Sequence, residues 1–141
     1  MDSVLICHDG GESIDPLIDR GQIEGGLLQG IGWMTMEDLR YHPETEALLT
    51  DSLATYKVPD IHSLPPELSI DMLECTSDNA GVFNSKAVGE PPFMYGIGTF
   101  TALADALRSA GAGVPPGGVW SSPLTPEKVL MLLPEPPGRN G

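Results

Sequence analysis

The run Ser85–Pro92 holds the side chain with the clearest chemical potential in the sequence, a glutamate between a glycine and two prolines. Glu90 precedes Pro91, and a residue before proline is pushed toward extended backbone. Gly89 allows a sharp turn and leaves room for a neighbouring group. A carboxylate of restricted orientation is what a general base needs, so catalysis is one hypothesis for Glu90. The alternative is structural, because an acid at a helix N-terminus stabilises the helix dipole by about 0.3–1 kcal/mol.

The cysteine and histidine residues do not form a recognisable catalytic or metal site. Cys7 and His8 are neighbours on a predicted strand, where adjacent side chains point to opposite faces, so they cannot meet directly as a thiol and its base. His42, His62 and Cys75 lack the spacing of zinc ligands. The sequence therefore predicts no metal held by protein side chains.

A glycine-rich helix, predicted over residues 20–39, is the first element that must position these groups. Its apolar residues fall on one stripe at helical spacing: Ile23, Leu27, Ile31 and Met34. Four glycines lie within ten residues of it, Gly25, Gly26, Gly30 and Gly32, and each costs about 1 kcal/mol relative to alanine. Either another element packs closely against the helix or a ligand approaches it, and both explanations can hold together. The glycines do not form the G-x-G-x-x-G pattern of a dinucleotide site.

Short strands and further helices complete the predicted architecture. Strands are predicted at residues 3–8 and 68–74, a hairpin at 40–49 and an extended stretch at 55–59. A second helix is predicted from Pro91, with an apolar stripe that includes Ile97, and a short helix over 128–133 with Thr125 as its N-cap. This order predicts an α+β fold, a mixed small sheet with two main helices, followed from about residue 113 by a proline-rich irregular tail.

Charge is distributed unevenly along the 141 residues. Residues 1–80 carry the whole net charge of −13, whereas residues 81–141 are neutral. The acidic stretch is either a solvated face or a sign that the neutral half is buried against something else. So acidic a chain is expected to bind neither nucleic acid nor an anionic membrane. Two cysteines favour a reducing, cytoplasmic compartment, and no apolar run reaches the roughly 20 residues that span a bilayer.

Four stretches together resemble the xanthine dehydrogenase/xanthine oxidase family of molybdenum hydroxylases. Ser85–Pro92 is similar to the family's active-site segment, and Asp15–Gly26, running on to Gly32, is similar to its pterin-side segment and glycine-rich helix. Thr55–Pro59 looks like its extended TYK(I/V)P stretch, and Ser122–Lys128 like its closing helix signature. The resemblance covers nearly the whole chain, and its details look more like a bacterial xanthine dehydrogenase than an aldehyde oxidase.

The resemblance implies roles for three residues. Glu90 matches the family's catalytic glutamate, the general base, and Gln22 matches a glutamine whose amide hydrogen-bonds the pterin. Gly89 would sit beside the metal, where a side chain would collide. The family holds molybdenum through the pterin and oxidises purines, taking xanthine or hypoxanthine to urate. Its electrons leave through 2Fe-2S centres to FAD and NAD, and this chain is expected to bind none of those three groups.

The resemblance also implies that residues 1–141 are the C-terminal portion of a molybdopterin-binding domain. The pterin would be shared with upstream segments that this chain lacks. The partners would be the remainder of the molybdenum subunit and the iron–sulfur and flavin subunits or domains, in an oligomeric enzyme, and the chain alone would be inactive. Two alternatives remain at this point: an aldehyde or another N-heterocycle as the substrate, or a non-catalytic interaction or assembly module that keeps the fold.

Overall fold

A computed structural model describes residues 1–74, 81–115, 117–118 and 120–134. Cys75 and the end of the proline-rich tail lie outside these ranges. The described chain contains β1 (Ser3–His8), α1 (Pro16–Thr35), β2 (Glu67–Met72), α2 (Gly96–Ser109) and α3 (Pro126–Leu132). Short 3-10 helices lie at Ile61–Ser63, Val82–Asn84 and Pro91–Tyr95. The predicted α+β class is confirmed, and none of the described helices is long and apolar enough to cross a membrane.

The two strands pair in parallel along their whole length, from Ser3 opposite Glu67 to His8 opposite Met72. A parallel pair needs a long crossover connection, and α1 lies within it. The prediction for β1 is confirmed at both ends, whereas β2 starts one residue before and ends two residues before its predicted bounds of 68 and 74. Along β1, His8 is buried and Cys7 is exposed, so the two side chains do face opposite sides of the sheet.

Helix α1 begins at Pro16, four residues before its predicted start. Asp15 caps it, because its Oδ1 accepts hydrogen bonds from the amides of Leu17 at 3.1 Å and Ile18 at 3.2 Å. Proline at the first helical position after a capping aspartate is a recognised start signal, and apolar periodicity alone does not detect it.

The same helix ends at Thr35, so the predicted end at residue 39 is wrong. The amides of Met36 and Glu37 both donate to the carbonyl of Gly32, at 2.9 and 3.0 Å. Two donors on one acceptor break the regular ladder and terminate the helix.

Contacts divide the chain into two compact units. The first consists of Met1–Ile31 and Pro59–Gly96 and the second of Gly32–Val58 and Ile97–Gly141. The core of the first unit combines α1 with both strands, through Ile6, Ile23, Leu27, Ile31 and Ile70. The predicted stripe of α1 is therefore buried as expected, and it covers the inward face of the sheet.

The second unit has its own core, formed by α2, the segment after it and Leu124, and α3 packs on it: Ala104, Leu107, Ala112, Trp120 and Leu124, with Val129 and Leu132 against them. Pro91 does begin helical structure, but as a 3-10 turn, and regular α-helix starts only at Gly96. Ile97 is 40% exposed, so the predicted apolar stripe is wrong there. Thr125 caps α3 as predicted, because its Oγ1 accepts from the amide of Lys128 at 3.3 Å.

The segment between α1 and Pro59 has turns where a hairpin and an extended stretch were predicted. The hairpin is reduced to one antiparallel bridge, Tyr41 opposite Leu48. The extended prediction for residues 55–59 is wrong at its start, where the amide of Tyr56 donates to the carbonyl of Ser52 at 2.7 Å. The Tyr56 hydroxyl donates to Glu37 Oε2 at 2.6 Å. That hydrogen bond, with smaller contributions from burial and the carboxylate charge, raises the pKa of Tyr56.

Candidate active site

One face of α1 lies directly against the segment that follows Gly89. Gln22, Gly26 and Gly30, which we call the crowded stripe, are spaced four apart and so share that face. A Cβ added at Gly26 would lie 2.9 Å from the Cβ of Pro92, and one added at Gly30 would lie 2.2 Å from the carbonyl oxygen of Phe93. No side chain fits at Gly30 without moving backbone. Close packing therefore accounts for these two glycines.

The two predicted cofactor residues are brought together at one end of the crowded stripe. A Cβ added at Gly89 would lie 3.5 Å from Gln22 Oε1, an ordinary contact distance. The Gln22 side chain is exposed, and its amide makes no hydrogen bond with any residue that the structure describes. It therefore keeps both a donor and an acceptor for a ligand.

Glu90 lies next to this contact, as the residue that precedes the 3-10 helix Pro91–Tyr95. Its backbone has φ −83° and ψ −41°, so the prediction of extended geometry before proline is wrong. The reason is local: the Glu90 carbonyl accepts from the amide of Phe93 at 3.1 Å, which holds the helical turn. The carboxylate is exposed and makes no capping hydrogen bond. It also has no hydrogen-bond partner elsewhere in the described chain, so it is available to a ligand.

The backbone leading to Glu90 is held by the residues that follow β1. The amide of Lys86 donates to the carbonyl of Gly10 at 2.8 Å, and the amide of Glu12 donates to the carbonyl of Asn84 at 3.0 Å. Lys86 Nζ also pairs with Asp9 Oδ2 at 2.6 Å. This ion pair is partly exposed and adds little energy, so the backbone hydrogen bonds carry most of the positioning.

His8 also contacts this segment, although no role was predicted for it beyond the rejected pairing with Cys7. The ring is buried, with Nε2 3.2 Å from the carbonyl oxygen of Ala87 and Nδ1 2.6 Å from the hydroxyl of Tyr95. The two rings meet edge to face at 86°, with centroids 5.9 Å apart. Burial raises the pKa of Tyr95, and the electrostatic interaction with the nearby Cys7 raises it further. An inward position on a predicted strand is the signal that could have singled out His8.

Among the other candidate residues, His42 makes hydrogen bonds that serve the local fold. His42 Nδ1 accepts from the amides of Glu44 at 3.2 Å and Thr45 at 3.3 Å, so this histidine closes a turn. Across the described ranges, no three His, Cys, Asp or Glu side chains are grouped so that they could hold a metal ion.

Comparison with known proteins gives the context for this arrangement. Residues 1–65 match the family model described as a molybdopterin cofactor-binding domain. The xanthine dehydrogenase/oxidase of Gallus gallus is 42% identical over 126 residues, which cover 88% of this chain and 9% of the relative. The chain belongs to the molybdenum hydroxylase family.

Other molybdenum hydroxylases match almost equally well. Aldehyde oxidase 1 of Bos taurus is 41% identical over 128 residues, covering 89% of this chain and 10% of the relative. The crystal structure of quinoline 2-oxidoreductase from Pseudomonas putida 86 superposes with a TM-score of 0.78 at 28% identity, over 96% of this chain and 16% of that one. The chain thus spans about a tenth of the length of its curated relatives, 9% and 10% in these two cases.

The site's chemistry fits the cofactor that the matched domain implies. A pterin is recognised by groups that both donate and accept hydrogen bonds, and the free amide of Gln22 does both. Gly89 presents backbone without a side chain beside that amide, and an unpartnered carboxylate follows it. The chain therefore offers a polar side chain, Gln22, and a backbone without a side chain, Gly89, next to each other. Both features suit the cofactor of the molybdenum hydroxylases.

Proposed function

We propose that this chain forms one part of the active centre of a molybdenum-dependent hydroxylase that oxidises a purine, xanthine or hypoxanthine to urate, with Glu90 as its general base. The observation that carries the proposal is the Glu90 carboxylate, exposed and without a hydrogen-bond partner in the described chain, directly after the Gln22–Gly89 contact. A base must be free to accept a proton from a bound reactant, and a carboxylate already engaged in a cap would not be.

The residues around Glu90 supply its position. The turn closed by Phe93 fixes the backbone after the carboxylate, and the Gly10–Lys86 hydrogen bond fixes the backbone before it. Proper placement of a catalytic group contributes a large part of a rate enhancement, because a displacement of about 1 Å can cost about 100-fold. The molybdenum–pterin cofactor, when bound, would supply an oxygen nucleophile at the oxidation level of water and would accept two electrons. The role of this chain is to orient the base and to take up the proton.

Gln22 is the residue that would hold the pterin, and Gly89 would leave room for the metal beside it. Both lie at the end of the crowded stripe, where α1 and the segment after Gly89 are in contact. The pterin would also be shared with segments outside this chain, since the chain covers only 9% of a relative such as the Gallus gallus enzyme.

The remainder of the molybdenum subunit would be the immediate partner. Many large apolar side chains are exposed in both units, among them Leu17 at 82% and Met131 at 79%, which supports this because apolar surface is commonly covered by a partner. The 2Fe-2S, FAD and NAD groups would belong to other subunits or domains of an oligomeric, cytoplasmic enzyme. The exposed free thiol of Cys7 fits a reducing compartment. The 141 residues alone would be inactive.

An aldehyde or another N-heterocycle is the second candidate substrate. It is favoured by the aldehyde oxidase of Bos taurus, which is 41% identical and so almost as similar as the Gallus gallus xanthine dehydrogenase/oxidase at 42%. A third possibility, a non-catalytic assembly module that keeps the fold, makes no use of a free carboxylate at residue 90.

The test is Glu90→Gln in the complete enzyme, assayed with xanthine, an aromatic aldehyde and quinoline. We expect the turnover of xanthine to fall by about 100- to 10,000-fold, because the amide cannot accept the proton. Molybdenum content should stay at the wild-type value, because Glu90 is not proposed to hold the cofactor. Glu74→Gln, an exposed glutamate outside the site, is the matched control.

Each result of this assay decides one part of the proposal. Near-normal turnover in Glu90→Gln would exclude Glu90 as the base. If the unmutated enzyme oxidised the aldehyde or quinoline but not xanthine, the second candidate substrate would replace the purine. An intact assembly without oxidation of any of the three would favour the non-catalytic module.

A further inference from the structure

His8 is the buried titratable group that the proposed chemistry leaves without a task. It lies at the end of β1 with 4% of its surface exposed. Its ring contacts one residue before Glu90 and one residue after it. Ala87 precedes Glu90 by three residues and Tyr95 follows it by five. One imidazole therefore touches the chain both before and after the proposed base.

Hydrogen-bond chemistry assigns the tautomer of the neutral ring. A carbonyl oxygen can only accept, so Nε2 must carry a proton and donate to Ala87 at 3.2 Å. In the neutral ring Nδ1 is then the acceptor, and the Tyr95 hydroxyl donates to it at 2.6 Å. A tyrosine hydroxyl is protonated at neutral pH, and burial moves the pKa of Tyr95 further above that range, so the hydroxyl is a donor.

The contact with Ala87 is a hydrogen-bond restraint on the stretch immediately before Glu90. The hydrogen bonds between the segment after β1 and this stretch end at Lys86. In the described chain, residues 87–89 make no other hydrogen bond than the one from His8 to the Ala87 carbonyl. Loss of the imidazole would leave the Tyr95 hydroxyl and the Ala87 carbonyl without the one hydrogen-bond partner that each has in the described chain.

We propose that His8 is a positioning residue for Glu90. From the last position of β1, the His8 ring holds the segment 87–95 at both ends. The inference rests on the proposed function, because it assigns His8 the task of orienting the base named there. His8 itself touches neither substrate nor cofactor in this account.

The test is a double-mutant cycle in the complete enzyme with His8→Phe and Glu90→Gln. The phenyl ring fills the buried site but cannot hydrogen-bond, so we expect kcat to fall by about 10- to 100-fold with KM within about twofold of wild type. Molybdenum content should not change. In the Glu90→Gln background, His8→Phe should lower kcat by less than about twofold, because there is no base left to position.

Two further variants separate positioning from a general loss of structure. His8→Gln offers a donor and an acceptor, so it should recover part of the lost kcat. Tyr95→Phe removes one of the two contacts and should have a smaller effect in the same direction. It also keeps the test available if His8→Phe does not fold.

Amide hydrogen exchange in the same proteins gives a readout that does not depend on activity. Amides of residues 93–95, which the turn after Glu90 protects, should exchange faster in His8→Phe than in wild type, whereas those of α3 should not change. Wild-type kcat in His8→Phe, or an equal fold loss in both backgrounds, would overturn the positioning role. Unchanged exchange at 93–95 would also overturn it. Near-normal turnover in Glu90→Gln would instead refute the proposed function, and the exchange result would still report on the contact itself.

Discussion

Helix α1 has two stripes with the same spacing and opposite surroundings. In the crowded stripe, a Cβ added at Gly26 or Gly30 would come within 2.9 or 2.2 Å of another element. Leu17, Gly21 and Gly25, which we call the open stripe, are also spaced four apart, yet neither glycine has an atom within 4 Å of an added Cβ. Leu17 is 82% exposed at the start of that stripe.

This difference separates two explanations that the sequence could only state together. Close packing accounts for the glycines of the crowded stripe, because backbone of the segment after Gly89 occupies the space where side chains would be. Nothing in the described chain accounts for those of the open stripe. A glycine in a helix is compatible with close approach of another group, but the residue type does not identify that group.

Gly30→Ala is expected to have the largest effect, because it challenges the crowded stripe directly. The added methyl group would lie 2.2 Å from the carbonyl oxygen of Phe93 and 3.0 Å from the Cα of Gly96. Backbone on that side cannot rotate away as a side chain could. We therefore expect the free energy of unfolding to fall by about 3 kcal/mol, the upper end of the usual cost of overpacking. The measurement is amide exchange of α1 and of residues 89–96 in the complete enzyme.

The alternative outcome for this variant is informative. Exchange unchanged from wild type would mean that the two elements are not in contact in the complete enzyme, and the distinction between the stripes would disappear.

Gln22→Ala should have an intermediate effect, confined to the cofactor. The side chain is exposed and makes no hydrogen bond within the described chain, so its loss should hardly change stability. Loss of a pterin contact should lower molybdenum content by about tenfold at limiting cofactor, as one hydrogen bond of about 1.4 kcal/mol would. Metal analysis of the purified enzyme measures this.

Gln29→Ala is the matched control, an exposed glutamine on the same helix. Equal molybdenum content in wild type, Gln29→Ala and Gln22→Ala would show that Gln22 does not hold the pterin.

Local signals in the sequence predicted the elements well, but they could not predict contacts between residues that are far apart in the sequence. A short run of β-forming apolar residues predicted β1 to the residue. Helical spacing predicted the buried stripe of α1, because that pattern follows from burial of one face. The backbone of Glu90 was mispredicted, because a hydrogen bond to Phe93 outweighs the local preference before proline. His8 was missed because its partners lie 79 and 87 residues away.

Gly25→Ala is expected to have the smallest effect and to test the open stripe. With no atom within 4 Å of the new methyl group, the change should only remove glycine's entropy cost in a helix. That gain is about 0.5–1 kcal/mol, so amides of α1 should exchange about two- to fivefold more slowly in the complete enzyme, with molybdenum content unchanged. Faster exchange or lost molybdenum would mean that another backbone or the cofactor lies against this stripe. Glycine would then serve close approach on both faces of α1, and the two stripes would differ only in which neighbour belongs to this chain.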